Sequence, residues 1–224
     1  MKADRTKALD IKGEGRMPEA CTIGLVDYGM GNRRSVEKAF ERVGADLRMT
    51  ADLDLLAACD GLVLPGVGAM PEAMRRMREG GFDALILERA AAGVPVIGLC
   101  LGMHLLYEAS EEFRSTEGLG LLRGRVVALR ADGLKLPHIG WHEVAFERET
   151  ALTPKGGSAA YYHVHSFAPE RSEDTVATGD YGGEFVSVAA RENVFGCQFH
   201  PEKSSGAGLA LLRGFTELCA AVPA

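Results

Sequence analysis

From Cys21 onward the chain alternates between two hydrophobic patterns. Short continuous apolar runs mark strands buried on both faces, and stretches with apolar residues every three or four positions mark amphipathic helices. CTIGLV reads as a buried strand, DYGMGN as a glycine-rich turn, and RRSVEKAFERVGA as a helix closed by Gly44. The pattern then repeats with strand ADLRM, helix DLDLLAA, strand DGLVLP, helix PEAMRRMREGGFDALILERAAAG, strand VPVIGL and helix GMHLLYEASEE. Alternating strands and helices of this kind predict a parallel sheet covered on both faces.

After about residue 118 the period shortens. LLRGRVVAL, HEVAFE, AAYYHVHSF, DTVATGDY, EFVSVAA and VFGCQFH read as antiparallel strands, with Gly182-Gly183 as a hairpin turn. SSGAGLALLRGFTELCAAV supplies a last helix. Residues 1–20 carry five basic and four acidic side chains without apolar periodicity and read as a loosely ordered extension. The expected architecture is therefore one α/β domain over residues 21–224, with a mixed-sheet second half.

Composition removes several function classes. In 224 residues, 46% hydrophobic and 25% charged, the balance is that of a globular chain with a full core. Twenty-five Lys+Arg against 31 Asp+Glu give a net charge of −6 with no polybasic run, which argues against nucleic acid as main partner. The five cysteines are odd in number and form no CxxC pair, so neither a disulfide framework nor a zinc module is expected. His163 and His165 lack an accompanying carboxylate or Cys cluster, and no metal or other cofactor is expected. With no apolar run long enough to span a bilayer and no apolar signal-peptide core, the chain reads as cytoplasmic.

The chemistry concentrates at Gly98-Leu99-Cys100-Leu101-Gly102, where strand meets helix. This is the G-x-nucleophile-x-G elbow with Cys in the nucleophile position. Glycines on both sides remove the Cβ atoms that would clash in so sharp a turn, and the following helix aims its first N–H groups at the sulfur, which favours the reactive thiolate. Alone, the segment also fits a buried Cys in a glycine-rich turn. A base is needed, and His200 in VFGCQFHPE stands at a strand end with Glu202 two positions on. Residues i and i+2 of extended chain share a side, and Pro201 keeps His200 out of helical geometry. Cys100, His200 and Glu202 thus form nucleophile, base and orienter. The N–H of Leu101 is one donor for a developing oxyanion, and Pro65-Gly66-Val67-Gly68, at the same sheet edge, is a second source.

These residues carry a resemblance. GLCLGM (Gly98–Met103), FHPEKS (Phe199–Ser204) and LPGVG (Leu64–Gly68) resemble the class I glutamine amidotransferases. DYGMGN, LPHIGWHEV and YYHVHSF look like the glutaminase subunits of imidazole glycerol phosphate synthases within that family, over roughly residues 21–221. The resemblance implies a flavodoxin-like fold with a central, mostly parallel sheet and an added antiparallel section. It implies glutamine hydrolysis through a Cys100 thioester, with the oxyanion held by Leu101 and Gly66–Gly68. It places the backbone of His165, Ser166 and Phe167 against the substrate. It also implies a (β/α)8-barrel cyclase partner that turns the ammonia into imidazole glycerol phosphate and AICAR in histidine biosynthesis. Asn32, Pro137, Trp141 and Lys203 then belong to the partner face.

Two positions depart from the family pattern. His104 stands where Gln commonly touches the substrate, and a neutral imidazole offers one donor and one acceptor where an amide offers two donors. His142 replaces the Asn of GWN. Open alternatives are an amidotransferase subunit of a different synthase, a cysteine hydrolase acting on another substrate, and an inert pseudo-enzyme that binds a barrel.

Overall fold

The computed structural model describes residues 21–221, so the extension expected over residues 1–20 lies outside the described residues. β1 (Thr22–Val26) leads to α1 (Arg33–Arg42), β2 (Asp46–Thr50) to α2 (Leu53–Ala57), β3 (Gly61–Leu64) to α3 (Met70–Glu79) and α4 (Phe82–Ala91), and β4 (Val96–Leu99) to α5 (Leu101–Leu106). Then follow β5 (Tyr107–Ser110), β6 (Thr116–Glu117), β7 (Leu122–Ala128), β8 (His138–Phe146), β9 (Ser158–His165), β10 (Phe167–Pro169), β11 (Thr175–Asp180), β12 (Glu184–Arg191) and β13 (Val194–Cys197). A 3-10 turn (Pro201–Lys203) and α6 (Ser205–Ala221) complete the described chain.

Nine strands form one sheet in the order β2-β1-β3-β4-β13-β12-β11-β8-β9, and β10-β7-β5-β6 form a second. The first five strands of the large sheet are parallel, while pairing from β13 through β12, β11 and β8 to β9 is antiparallel. Both faces of the parallel part are covered, as its unbroken apolar runs require. Val36 and Phe40 of α1 and Leu211 and Phe215 of α6 pack on Leu25, Val63 and Ile97. Met70, Met74, Phe82 and Leu105 cover the other face against Val26, Leu62, Leu64 and Val96. Successive residues of β3 go to opposite cores, the period-two signature of a strand. Each large side chain so buried contributes roughly 1.5–3 kcal/mol.

Three sequence expectations need correction. The long helix expected over PEAMRRMREGGFDALILERAAAG breaks into α3 and α4 at Gly80-Gly81, where Gly81 takes a φ of +72° and Gly80 closes α3 on the Arg76 carbonyl. The helix expected over GMHLLYEASEE stops at Leu106, because the Leu119 N–H takes the Leu105 carbonyl and Tyr107–Ser110 becomes β5, parallel to β7 and antiparallel to β6. VFGCQFH, expected as antiparallel, pairs antiparallel with β12 on one side but parallel with β4 on the other. The Gly182-Gly183 hairpin is present, joining β11 to β12 with Asp180 opposite Glu184. The basic stretch in α3 is an exposed face of Glu72–Arg75, Glu72–Arg76 and Arg75–Glu79 pairs. Among the described residues no helix is long and apolar enough to cross a membrane.

The carboxyl ends of β3, β4 and β13 lie side by side. In an open parallel sheet this is the edge where ligand crevices form.

Candidate active site

The elbow forms because three glycines let three backbones meet. A Cβ on Gly98 would overlap the Gly102 carbonyl, one on Gly102 would overlap the Leu64 carbonyl, and one on Gly66 would lie 2.6 Å from the Gly102 nitrogen. Cys100 itself adopts φ 53° and ψ −109°, a conformation that a side chain rarely takes. Such strain costs about 1–3 kcal/mol and persists only where neighbours over-determine it. Here the Cys100 N–H donates to the Cys197 carbonyl at 2.8 Å, and the Cys100 carbonyl accepts from Met103 N at 2.9 Å and His104 N at 3.3 Å. Parallel pairing of Leu99 with Cys197 thereby sets Cys100 beside the end of β13.

His200 follows that strand end. Its N–H donates to the Tyr162 carbonyl at 2.9 Å, while Ser204 Oγ donates to the His200 carbonyl at 2.7 Å and accepts from Tyr162 N at 2.9 Å. The backbone is thus clamped to β9. His200 Nδ1 lies 2.9 Å from Glu202 Oε1, and both side chains are almost wholly buried. Burial opposes charge on the imidazole, but the Cys100 sulfur and the Glu202 carboxylate outweigh it and raise His200 to about 9. Burial likewise opposes charge on Glu202, yet His200 and Asn32 hold it below the usual carboxylate range. Asn32, read from sequence as a partner-face residue, donates its amide to Glu202 Oε1 at 2.5 Å.

Cys100, Leu101 and His200 line a cavity of about 360 Å³ together with Val67 and Gly68 from the β3–α3 loop. Tyr28 OH donates to the Pro65 carbonyl and ties this loop to the turn after β1. His165, Ser166 and Phe167 line it as well. The His165 imidazole is occupied elsewhere: Nδ1 lies 2.9 Å from the Phe167 carbonyl and Nε2 lies 3.0 Å from His138 Nδ1. Both ring nitrogens of His165 are therefore engaged within the protein. His104 lines the cavity too, with Nε2 2.8 Å from Gln198 Oε1. Burial, partly countered by Gln198, lowers His104 to about 4 and keeps it neutral.

Pro137 and Lys203 also line the cavity, the latter 5.9 Å above the Tyr162 ring. Trp141 is 50% exposed and Ile139 58% exposed on β8 nearby. His142 Nδ1 lies 3.1 Å from the Asp180 carbonyl. Gly66 does not line the cavity but backs it, pressed on Gly102.

Two residues escaped the sequence reading. Glu112 brings a carboxylate into the cavity and accepts from the Met70 N–H at 2.8 Å; burial raises its pKa, and that N–H partly offsets the effect. It sits beyond α5 in a stretch read as helix, so nothing in the spacing aimed it at Cys100. Gln198, fully buried, donates to Cys100 Sγ at 3.8 Å; its position two before His200 was the available signal. The other four cysteines are free and buried. Burial raises Cys21 to about 11 and also raises Cys59, Cys197 and Cys219, which keeps them as inert thiols.

The arrangement of strained thiol, carboxylate-backed imidazole and converging backbone turns suits acyl transfer through a thioester. Comparison with known proteins agrees. The family model "Glutamine amidotransferase class-I" matches residues 24–217. The chain is 46% identical over 200 residues to "Imidazole glycerol phosphate synthase subunit HisH" of Moorella thermoacetica, covering 88% of this chain and 94% of that one. It is 42% identical over 205 residues to the protein of the same name from Bacillus subtilis, covering 88% and 97%. Among solved structures, "Crystal structure of glutamine amidotransferase" superposes with a TM-score of 0.70 at 21% identity, over 88% of this chain and 98% of that one, which speaks to the fold.

Proposed function

The chain belongs to the class I glutamine amidotransferases, and from that premise we propose that it is the glutaminase subunit of an imidazole glycerol phosphate synthase. It hydrolyses L-glutamine to glutamate and ammonia and supplies the ammonia to a (β/α)8-barrel cyclase subunit. The observation that carries this reading is the meeting, in one cavity, of Cys100 on its strained turn, His200 backed by Glu202, and the Val67-Gly68 loop.

In this reading the Cys100 thiol gives its proton to His200 and attacks the carboxamide carbon of glutamine. The oxyanion is received by the N–H of Leu101 and by peptide N–H groups of the Gly66–Gly68 loop. His200 passes its proton to the departing nitrogen, so ammonia leaves and a thioester remains on Cys100. His200 then takes a proton from water, the hydroxyl attacks the thioester carbon, and glutamate is released as the thiol is restored. Glu202 holds the imidazole in orientation throughout. Glu112 supplies the negative partner for the substrate's α-ammonium, and the backbone of His165–Phe167 meets its polar end groups.

The exposed side chains of β8, with Trp141, and the cavity-lining Pro137 and Lys203 face the cyclase, and Asn32 contacts Glu202 behind them. Residues 21–224 form the amidotransferase domain. Five free cysteines fit a cytoplasmic setting. The test is ammonia release from glutamine by the full chain, alone and with a cyclase-barrel subunit and its nucleotide ligand, with Cys100→Ala as blank. Stimulation by the partner that disappears in the variant is the expected result. Hydrolysis unchanged in Cys100→Ala would remove the site assignment, and no stimulation by the cyclase would remove the partner.

A further inference from the structure

Gln198 is fully buried at the end of β13, directly across from the elbow, and its backbone N–H donates to the Ser187 carbonyl at 2.8 Å. Its side-chain amide bridges two groups of the cavity. Oε1 lies 2.8 Å from His104 Nε2, and Nε2 lies 3.8 Å from Cys100 Sγ. A carbonyl oxygen only accepts, so the His104 tautomer that bonds it carries its proton on Nε2. With Oε1 on the imidazole, the other end of the amide faces the sulfur. The NH2 group is turned to Cys100, where a sulfur losing its proton gains a charge-assisted donor.

His104 suits this task because it is one turn beyond Cys100 on α5 and fully enclosed, hence neutral near pH 7. An amide in its place could also donate to Oε1, whereas an apolar side chain could not. The imidazole that departs from the family pattern therefore has a structural use separate from touching substrate.

We propose that Gln198 is a positioning residue for the nucleophile, holding the deprotonated Cys100 sulfur toward the cavity through its amide N–H, with His104 locking that amide in place. The inference rests on the glutaminase reading for its role in turnover, but its geometry concerns the sulfur alone. Four other groups act on the sulfur or enclose it. These are His200, Tyr28 from the turn after β1, Cys197 of β13 and the Val164 carbonyl, which the thiol meets at 3.9 Å.

The experiment follows alkylation of Cys100 by iodoacetamide as a function of pH, by intact mass and peptide mapping of the full chain. Gln198→Met removes the donor with similar bulk, and Gln198→Glu keeps the shape while replacing the NH2. In Gln198→Met the alkylation midpoint is expected to move up by about one pH unit, and in Gln198→Glu by more, because a carboxylate beside the sulfur opposes its charge. In the complex with the cyclase, kcat for glutamine falls about tenfold while KM changes less than about threefold. His104→Leu shifts the midpoint in the same direction, the Gln198→Met/His104→Leu double variant shifts it no further, and His104→Gln, which can still donate to Oε1, moves it less than His104→Leu. Native midpoints in the folded Gln198 variants, or a loss confined to KM, would overturn the proposal, and additive shifts would remove His104 from it. Should neither Gln198 variant fold, the His104 pair decides: equal midpoints for Leu and Gln overturn the relay. Because alkylation needs no glutamine, failure of the glutaminase reading would show as an unreactive native enzyme toward glutamine with the midpoint shifts intact.

Discussion

Asn32 donates its side-chain amide to Glu202 Oε1 at 2.5 Å across 170 positions of sequence. That same oxygen meets His200 Nδ1 at 2.9 Å. Asn32 occupies the N-cap of α1 yet makes no side-chain cap bond. A residue type whose cap is normally worth about 1 kcal/mol to a helix is here turned to the active site instead.

Asn32→Ala is expected to lower kcat for glutamine hydrolysis in the cyclase complex about tenfold, with KM within about threefold, because a hydrogen bond to a buried carboxylate is lost. Asn32→Asp should cost more, since it sets a second negative charge against Glu202. Steady-state kinetics of both variants check this; an unchanged kcat in each would detach Asn32 from the catalytic residues.

Glu112 gives a prediction with the opposite kinetic signature. If its carboxylate receives the substrate's α-ammonium, Glu112→Gln raises KM for glutamine about tenfold or more and leaves kcat within about threefold. The variant also keeps an acceptor for the Met70 N–H, so its stability should match the native chain. A KM unaffected by the substitution would exclude the contact.

Stability should fall on both sides of neutrality for different histidines. His200 is raised to about 9, so its stabilisation is complete below its ordinary value of 6.5 and is lost as pH rises from there through 9. His138, His163 and His165 are lowered by burial to about 4, 3 and 2 and help one another stay neutral. Their unfolded forms bind protons first, so stability declines as pH drops below 6.5, by up to about 1.4 kcal/mol per pH unit for each group. Urea unfolding between about pH 4 and 9 tests both limbs: His163→Phe should flatten the acid side and His200→Gln the alkaline side. Unchanged slopes would contradict the assignment.

The glycines at the elbow should be intolerant of even a methyl group. Gly98→Ala and Gly102→Ala drive a Cβ into backbone, with nothing flexible to yield, and are expected to destabilise by about 3 kcal/mol or more. Gly206→Ala, in α6 with open space around its Cβ position, should be neutral or stabilising by up to about 1 kcal/mol. Equilibrium denaturation compares the three, and equal effects would show that close approach at the elbow is not what requires glycine.

The sequence alone determined the parallel strands β1 to β4 and the helices between them in outline, since continuous apolar strands and 3.6-period helices depend on nearest neighbours; the parallel pairing of β13 with β4 it did not show. It also marked Cys100 and His200 as candidates, since G-x-C-x-G and H-P-E are local devices whose geometry lies within a few residues. Tertiary structure decided what depends on distant chain. Gly80-Gly81 became a break because Gly81 takes a left-handed φ, and Tyr107–Ser110 became a strand because β6 and β7, from later in the chain, offered hydrogen bonds that outcompeted the helix. Asn32 reached Glu202, Glu112 entered the cavity, and Gln198 came between His104 and Cys100 by the same means. Hydrogen bonds between residues so far apart leave no period in sequence, because their partners are chosen by how the sheet orders its strands.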